Sequence, residues 1–156
     1  MALRIHLQQS PRHAVADPVG TKRFARTVLA SVGVTDGAMS LVLTDSAGVR
    51  DLNARYRDID RVTDVLAFPL HEEDETGSTY LGDVVISVER AHEQAPRFGN
   101  DFESELARLI AHGILHLMGH DHHTPHQGRA MKAAERRALD ALVPGTLLRA
   151  RAGGRA

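Results

Sequence analysis

The chain has 156 residues and no cysteine, so disulfides and thiolate metal ligands are excluded, and any metal site must use His, Asp or Glu. Its formal net charge of −1 gives no sign of the strongly basic surface that marks many nucleic-acid-binding domains. No apolar run resembles a signal peptide or is long enough to span a bilayer, so we expect a cytoplasmic protein. The length suits one domain, which we expect at residues 1–148, followed by a disordered basic tail at 149–156.

The first half of the chain alternates predicted strands with predicted helices. Apolar and polar residues alternate from Leu3 to Leu7, which is typical of a half-buried strand. Asp17 before Pro18 is typical of a helix start, because aspartate caps free N–H groups and proline is tolerated at the first helical position. The predicted elements of this half are a strand at 3–7, a helix from 18 to 33, a strand at 39–43 and a helix from 46 to 56.

The second half is predicted to hold two strands and then three helices. The segment from Val65 to Phe68 predicts a strand that Pro69 ends, because proline cannot donate to a sheet. The apolar run at Leu81–Val88 indicates a strand buried on both faces. An exposed acidic loop is expected between them at 71–79. The predicted helices are a short one from 87 or 89 to 95, a buried one from 100 or 101 to 118 that starts with a capping box at Glu103, and a last one at 127–142.

Histidines are concentrated at the end of the buried helix, with six of the ten between positions 112 and 126. His112 and His116 are four residues apart, so they project from one helix face about one turn apart and can bind one zinc ion. Gly119 accepts the positive φ with which many helices end. If the chain turns back there, His122 can reach the same metal. Three protein ligands and one open position are typical of catalytic zinc.

Two alternatives concern this histidine motif. If the helix continued past Gly119, His120 or His123 would lie near the ligand face instead of His122. The spacing is also that of the zinc-peptidase motif H-E-x-x-H-x-x-G-x-x-H. Gly113, however, stands where that motif has its general base, and a glycine cannot transfer a proton. The motif therefore favours a zinc hydrolase that is not a peptidase.

Three charged residues are candidates for supporting roles. Arg57, in a predicted loop, is a candidate to stabilise charge on a phosphodiester, although an ion pair with a neighbouring aspartate is the alternative. Asp121 is a candidate to orient a ligand imidazole from the second shell of the metal, or it is a surface acid at a helix end. Asp83, on the predicted buried strand, needs a partner, for which we expect loop backbone.

Four blocks of the chain stand out as motifs: Leu52–Arg57 (L-N-x-x-Y-R), Thr63–Pro69 (T-[ND]-V-L-S-F-P with Ala67 for the serine), Leu81–Val84 (L-G-D-I/V) and His112–His122 (H-G-x-L-H-L-x-G-x-D-H). In order and spacing, these blocks resemble the YbeY family of bacterial rRNA maturation factors. The similarity covers about residues 39–140. Ala67 departs from the serine that is common in the family, and His120 departs from a common aromatic residue.

The resemblance implies an α+β fold, with a four-stranded, mostly parallel sheet packed on helices and a central metal-bearing helix. It implies one zinc ion held by His112, His116 and His122, with Arg57 as the catalytic arginine. The implied activity is a single-strand-specific, zinc-dependent endoribonuclease in 16S rRNA 3′-end maturation and ribosome quality control. The implied partners are single-stranded rRNA and the small ribosomal subunit with its proteins. A zinc metallopeptidase-like hydrolase and a non-catalytic ribosome-assembly factor with structural zinc stay open as alternatives.

Overall fold

A four-stranded sheet with helices packed on it forms the protein in the computed structural model, which describes residues 3–58 and 63–147. The predicted α+β class is confirmed. The strands are β1 (Leu3–Gln9), β2 (Gly37–Thr44), β3 (Val65–Glu73) and β4 (Thr79–Ser87). The α-helices of the described ranges are α1 (Pro18–Ser31), α2 (Ser46–Arg57), α3 (Val88–Gln94), α4 (Phe102–Leu117) and α5 (Pro125–Asp140). The predicted basic tail at 149–156 and positions 59–62 of the loop after α2 lie outside the described residues.

The sheet has the strand order β1-β2-β4-β3. Strands β1, β2 and β4 run parallel, and β3 is antiparallel to β4, so the predicted mostly parallel mixed sheet is confirmed. The parallel pair β1 and β2 is joined through α1, which starts where the sequence predicts: the side chain of Asp17 accepts a hydrogen bond from the Gly20 N–H at 3.0 Å. Among the described helices, none combines the length and the apolar character that a bilayer span requires.

Strand β3 is longer than predicted, because it continues through Pro69 to Glu73. The predicted strand end at Phe68 is wrong. Strand β3 lies at the edge of the sheet, where a residue without an N–H is tolerated, and its register against β4 shifts between Pro69 and Glu72. The predicted loop at 71–79 therefore shrinks to a turn at 74–78, which connects β3 and β4 as a hairpin.

Helix α4 packs against β3 and β4 on one side and against α1, α3 and α5 on others. Leu109, Ile110 and Ile114 are at most 1% exposed, so its apolar surface is almost wholly removed from water. The side chain of Asp101 caps the helix by accepting a hydrogen bond from the Ser104 N–H at 2.8 Å.

The capping box predicted at Glu103 is wrong. Glu103 is buried, and its carboxylate accepts hydrogen bonds from the backbone N–H groups of Gly145 and Leu147 at 2.8 and 2.7 Å. The side chain therefore ties the segment after α5 to the start of α4. A local sequence pattern could not reveal this, because the two partners lie more than forty residues farther along the chain.

Gly113 allows α4 to lie directly on the sheet. A β-carbon at this position would stand 2.5 Å from Val84 Cγ1 and 2.9 Å from Val65 Cγ2. Valine is stiff about its first side-chain torsion, so neither neighbour can move aside without strain. A side chain at position 113 would thus point into the sheet, which explains the glycine independently of any missing catalytic base.

We expect Gly113→Ala to lower the free energy of unfolding by about 1–3 kcal/mol, as for other overpacked core sites. The matched control is Gly128→Ala in α5, where a β-carbon would meet nothing within 4 Å. That change should raise stability by up to about 1 kcal/mol, because alanine favours helix more than glycine does. Urea unfolding of both variants measures the difference. Equal stability of the two variants would show that the contact with the sheet does not restrict position 113.

Candidate functional site

Helix α4 and the turn after it bring three imidazoles together. The ring centroids of His112 and His116 are 4.6 Å apart on one face of the helix. Gly119 has φ +89°, and its N–H donates to the His116 carbonyl at 2.9 Å, so the helix ends there as predicted. The chain then turns back and places the His122 ring 5.9 Å from that of His112 and 5.3 Å from that of His116.

The spacing of the three rings suits a single metal ion. Zinc binds imidazole nitrogen at about 2.0–2.1 Å in tetrahedral geometry, which places the centroids of three bound rings about 5 Å apart. Within residues 3–58 and 63–147, no three His, Asp or Glu side chains stand in the geometry of a formed metal-binding group. The assignment of His112, His116 and His122 as ligands therefore rests on the approach of the rings and stays a prediction.

Burial favours the ligand form of His116. Desolvation lowers the pKa of this imidazole first, and the neighbouring His112 and His122 rings lower it further. The side chain is therefore neutral at pH 7. A neutral imidazole has the nitrogen lone pair that a metal requires.

Glu135, on α5, is a site residue that the sequence did not reveal. Its Oε2 lies 2.6 Å from Nδ1 of His112. An ionised carboxylate can only accept, so Nδ1 carries the proton and Nε2 keeps the lone pair for a metal. The only sequence signal was an acidic residue beside Ala134 and Ala138, on the side of α5 that faces the core; the Glu135 side chain is 12% exposed.

We expect Glu135→Gln to weaken zinc binding by about 10–100-fold, because the amide no longer holds the imidazole in one orientation. The matched control is Glu93→Gln, since Glu93 is an exposed acid on α3 that lies 3.8 Å from Arg90. Competition with a chromophoric zinc chelator measures both affinities. Wild-type affinity in Glu135→Gln would mean that the contact with His112 does not support metal binding.

Asp121 does not reach the ring of His122. Its Oδ1 is 3.8 Å from His122 Nδ1, which is longer than a hydrogen bond, and the same oxygen accepts from the His122 backbone N–H at 2.8 Å. The other oxygen lies 2.8 Å from Nε2 of His123. The described geometry thus links Asp121 to the turn and to His123, while its predicted role toward a metal ligand stays untested.

Of the three histidines, His112 and His116 line a cleft of about 380 Å³, and His122 does not. Arg57, Thr63 and Asp64 line the same cleft. Arg57 is the last residue of α2 and not part of a loop, so its predicted placement is corrected. This exposed arginine shares one cleft with His112 and His116, and a guanidinium is a group that can bind phosphate.

A buried polar network supports the wall of this cleft. Glu105 is fully buried and accepts hydrogen bonds from Gln94 at 2.6 Å, from Asn100 at 3.0 Å and from the guanidinium of Arg108 at 2.6 and 3.0 Å. Gln94 also donates to Oδ2 of Asp64 at 3.1 Å. The network therefore connects the interior of α4 to the cleft, which sequence spacing did not indicate.

Glu105 should make stability depend on pH. Burial by itself raises the pKa of Glu105, but the hydrogen bonds from Arg108, Asn100 and Gln94 outweigh it, so the pKa lies below its ordinary value. The carboxylate thus stabilises the fold above its unfolded-state pKa of about 4.3, and this contribution is lost as the pH falls through the folded-state value.

We expect Glu105→Gln to lower the free energy of unfolding by about 1–3 kcal/mol at neutral pH and by less below about pH 4. Urea unfolding across this range measures it, and a pH-independent difference would contradict the assignment.

Comparisons with known proteins agree on one family. A family model described as endoribonuclease YbeY matches residues 11–143. The proteins named endoribonuclease YbeY from Carboxydothermus hydrogenoformans and Heliobacterium modesticaldum are 46% and 41% identical over 106 and 130 residues, which cover 68% and 76% of this chain and 73% and 78% of theirs. The relative of that name from Myxococcus xanthus is 42% identical over 74% of this chain, which spans 40% of that longer protein.

A solved structure shares the fold. The solution structure of TM1509 from Thermotoga maritima matches with a TM-score of 0.60 at 28% identity, over 88% of this chain and 87% of that one. The family model spans both the α2 end at Arg57 and the histidine turn at His122. The chain therefore belongs to the YbeY family.

Proposed function

We propose that this protein is a metal-dependent endoribonuclease that cleaves single-stranded RNA and acts in 3′-end maturation of 16S rRNA and in ribosome quality control. The observation that carries the proposal is the single cleft that His112, His116 and Arg57 line together. The endoribonuclease name of the family and of its relatives supports the choice of RNA.

The metal of the proposal is one zinc ion held by His112, His116 and His122. Their chemistry fits, since three imidazole ligands leave the fourth position of a tetrahedral zinc open for substrate. Zinc bound there would supply Lewis acidity toward a phosphoryl oxygen and a water of lowered pKa. Glu135 orients His112 through the 2.6 Å contact at Nδ1 and so leaves the lone pair of Nε2 available to a metal.

Arg57 supplies the positive charge that the reaction needs beside the metal. Charge grows on the phosphoryl oxygens as a phosphodiester is attacked, and a planar guanidinium can contact two such oxygens at once. The cleft holds no carboxylate in the place where zinc peptidases have their base, because a side chain at position 113 would run into Val84 and Val65. This geometry favours phosphodiester over peptide hydrolysis.

The proposed substrate is delivered by the small ribosomal subunit and its proteins. A chain with net charge −1 has little long-range attraction for RNA, since nonspecific affinity comes mainly from neutralised phosphates. Contacts with a ribosomal partner would raise the effective concentration of the RNA at the cleft. The proposal accordingly places the protein on the ribosome during cleavage.

The test compares zinc-loaded protein on single-stranded RNA, duplex RNA and an unstructured peptide. We expect cleavage of the single strand alone, and we expect it to be lost in His112→Ala. The matched control is His126→Ala, an exposed histidine of α5 that does not line the cleft. Peptide cleavage with intact RNA would refute the proposal, and so would RNA cleavage that survives in His112→Ala.

A further inference from the structure

A second cleft lies on the other face of the sheet from α4. Side chains alternate along β3: Val65 and Ala67 pack toward the α4 core, whereas Leu66 and Phe68 pack with Val85 beneath α2. Helix α2 does not cover all of this face. A cleft of about 380 Å³ remains there, lined among others by Tyr56, Phe68, Pro69, Tyr80 and Asp83. We call it the base cleft.

The base cleft adjoins the cleft that Arg57, His112 and His116 line, which we call the catalytic cleft. Pro69, on the edge strand β3, lines both. Tyr56 and Arg57 are consecutive residues at the end of α2, and Tyr56 lines the base cleft while Arg57 lines the catalytic cleft. These two residues can therefore contact neighbouring nucleotides of one bound strand.

Tyr56 has the properties of a stacking surface. Its side chain is unusually open for a large aromatic residue, at 65% exposed. An edge contact to Phe68, with ring centroids 5.8 Å apart, holds the ring in place, and the guanidinium carbon of Arg55 lies 5.9 Å from its centroid. Single-strand-binding proteins combine exposed aromatic rings with arginines in this way, because every nucleobase has a face that stacks.

Hydrogen-bond acceptors form the polar end of the base cleft. The Tyr80 hydroxyl donates to Oδ1 of Asp83, and Ser40 Oγ lies 2.6 Å from the Tyr80 oxygen. Because a carboxylate only accepts, the hydroxyl proton of Tyr80 is used toward Asp83 and Ser40 donates to Tyr80. The partner of Asp83 is thus a side chain and not the loop backbone that the sequence led us to expect. Asp83 retains further lone pairs for a donor in the cleft.

We propose that the base cleft binds a nucleobase next to the cleaved phosphodiester, with Tyr56 as its stacking partner and Asp83 as the acceptor for an exocyclic amino group. This inference rests on the proposed function. Cytosine, adenine and guanine carry such an amino group, whereas the single donor of uracil, N3–H, lies between two carbonyl oxygens that an acidic acceptor repels. The cleft therefore selects amino-bearing bases over uracil at one position relative to the cut.

The experiment uses the zinc-loaded full chain and labelled oligouridines that contain one cytidine, one abasic site or neither. We expect single-turnover cleavage at a fixed distance from the cytidine, about tenfold faster than at the corresponding uridine. The abasic site in place of the cytidine should remove this preference.

Tyr56→Ala should weaken binding of the cytidine RNA by about 10–100-fold, and Tyr56→Phe should keep the affinity, because the stacking ring is retained. Asp83→Asn should reduce the difference between cytidine and uridine.

The matched control is Phe98→Ala. Phe98 is 62% exposed and has Arg108 5.4 Å from its ring, yet it lines neither cleft. Circular dichroism and thermal melting of every variant exclude misfolding.

If wild type cleaves RNA and Tyr56→Ala behaves like Phe98→Ala, the base cleft is refuted while the proposed function stands. If wild type cleaves no RNA, both the proposed function and the base cleft are refuted. If RNA cleavage is unchanged in Tyr56→Ala but binding to purified small subunits is lost, the cleft holds a protein and the inference is wrong.

Discussion

Replacing Arg57 with alanine is expected to slow single-turnover cleavage of a single-stranded RNA by about 10²–10³-fold, as does the loss of a donor that stabilises transition-state charge. RNA affinity should change far less, because the guanidinium acts on charge that develops during the reaction. Arg57→Lys should recover only part of the rate, since an ammonium group cannot contact two phosphoryl oxygens in one plane.

The control for Arg57 is Arg23→Ala, which removes the same charge from an exposed position of α1 that does not line the cleft. Zinc content and melting temperature should match wild type in both variants, because Arg57 is an exposed residue at a helix end. A loss that is entirely in binding would reduce Arg57 to a docking residue. An unchanged cleavage rate would show that Arg57 has no role in the reaction.

The second large effect is expected at His122. His122→Ala should lose the bound zinc and lower the cleavage rate by more than about 10³-fold, because two imidazoles alone hold zinc weakly and the Lewis acid is then missing. The neighbouring His123→Ala should keep a full equivalent of zinc, since Nε2 of His123 lies 2.8 Å from Oδ2 of Asp121 and is engaged there.

Native mass spectrometry counts the zinc in each variant independently of activity. His120→Ala belongs in the same series, because the sequence alone left His120 open as an alternative ligand. Retention of zinc in His122→Ala, with loss in His120→Ala or His123→Ala, would show that the third ligand is a different histidine. A full equivalent of zinc in all three variants would show that none of these three histidines contributes to the site.

The local features of the histidine motif follow from sequence spacing alone. Four residues separate His112 from His116, and helix geometry by itself puts their rings on one face. Gly119 ends the helix because glycine adopts φ +89° without strain, and this local conformation directs His122 back toward the other two. The α1 cap at Asp17 is equally local, since the bond to Gly20 spans three residues.

Two predictions failed where the neighbouring element decides the outcome. Pro69 predicts the end of a strand, because proline cannot donate a hydrogen bond to a sheet. Strand β3 nevertheless continues through Pro69, because it lies at the sheet edge. Glu103 fits a capping box, yet its carboxylate binds the segment after α5 because burial demands partners that α4 itself does not offer. In both cases a correct local rule was overridden by a contact that the pattern does not contain.

The sequence by itself determined the pair of imidazoles and the turn that returns the third, because these depend on helix periodicity and glycine conformation, whereas the α+β class was an implication of the family resemblance. Only the tertiary structure decided that α5 places Glu135 on His112, that the end of α2 places Arg57 in the same cleft as His112, and that Gly113 faces the sheet. These contacts join residues distant in the chain. Their geometry is set by how helices pack on the sheet, and no spacing rule within one segment specifies that packing.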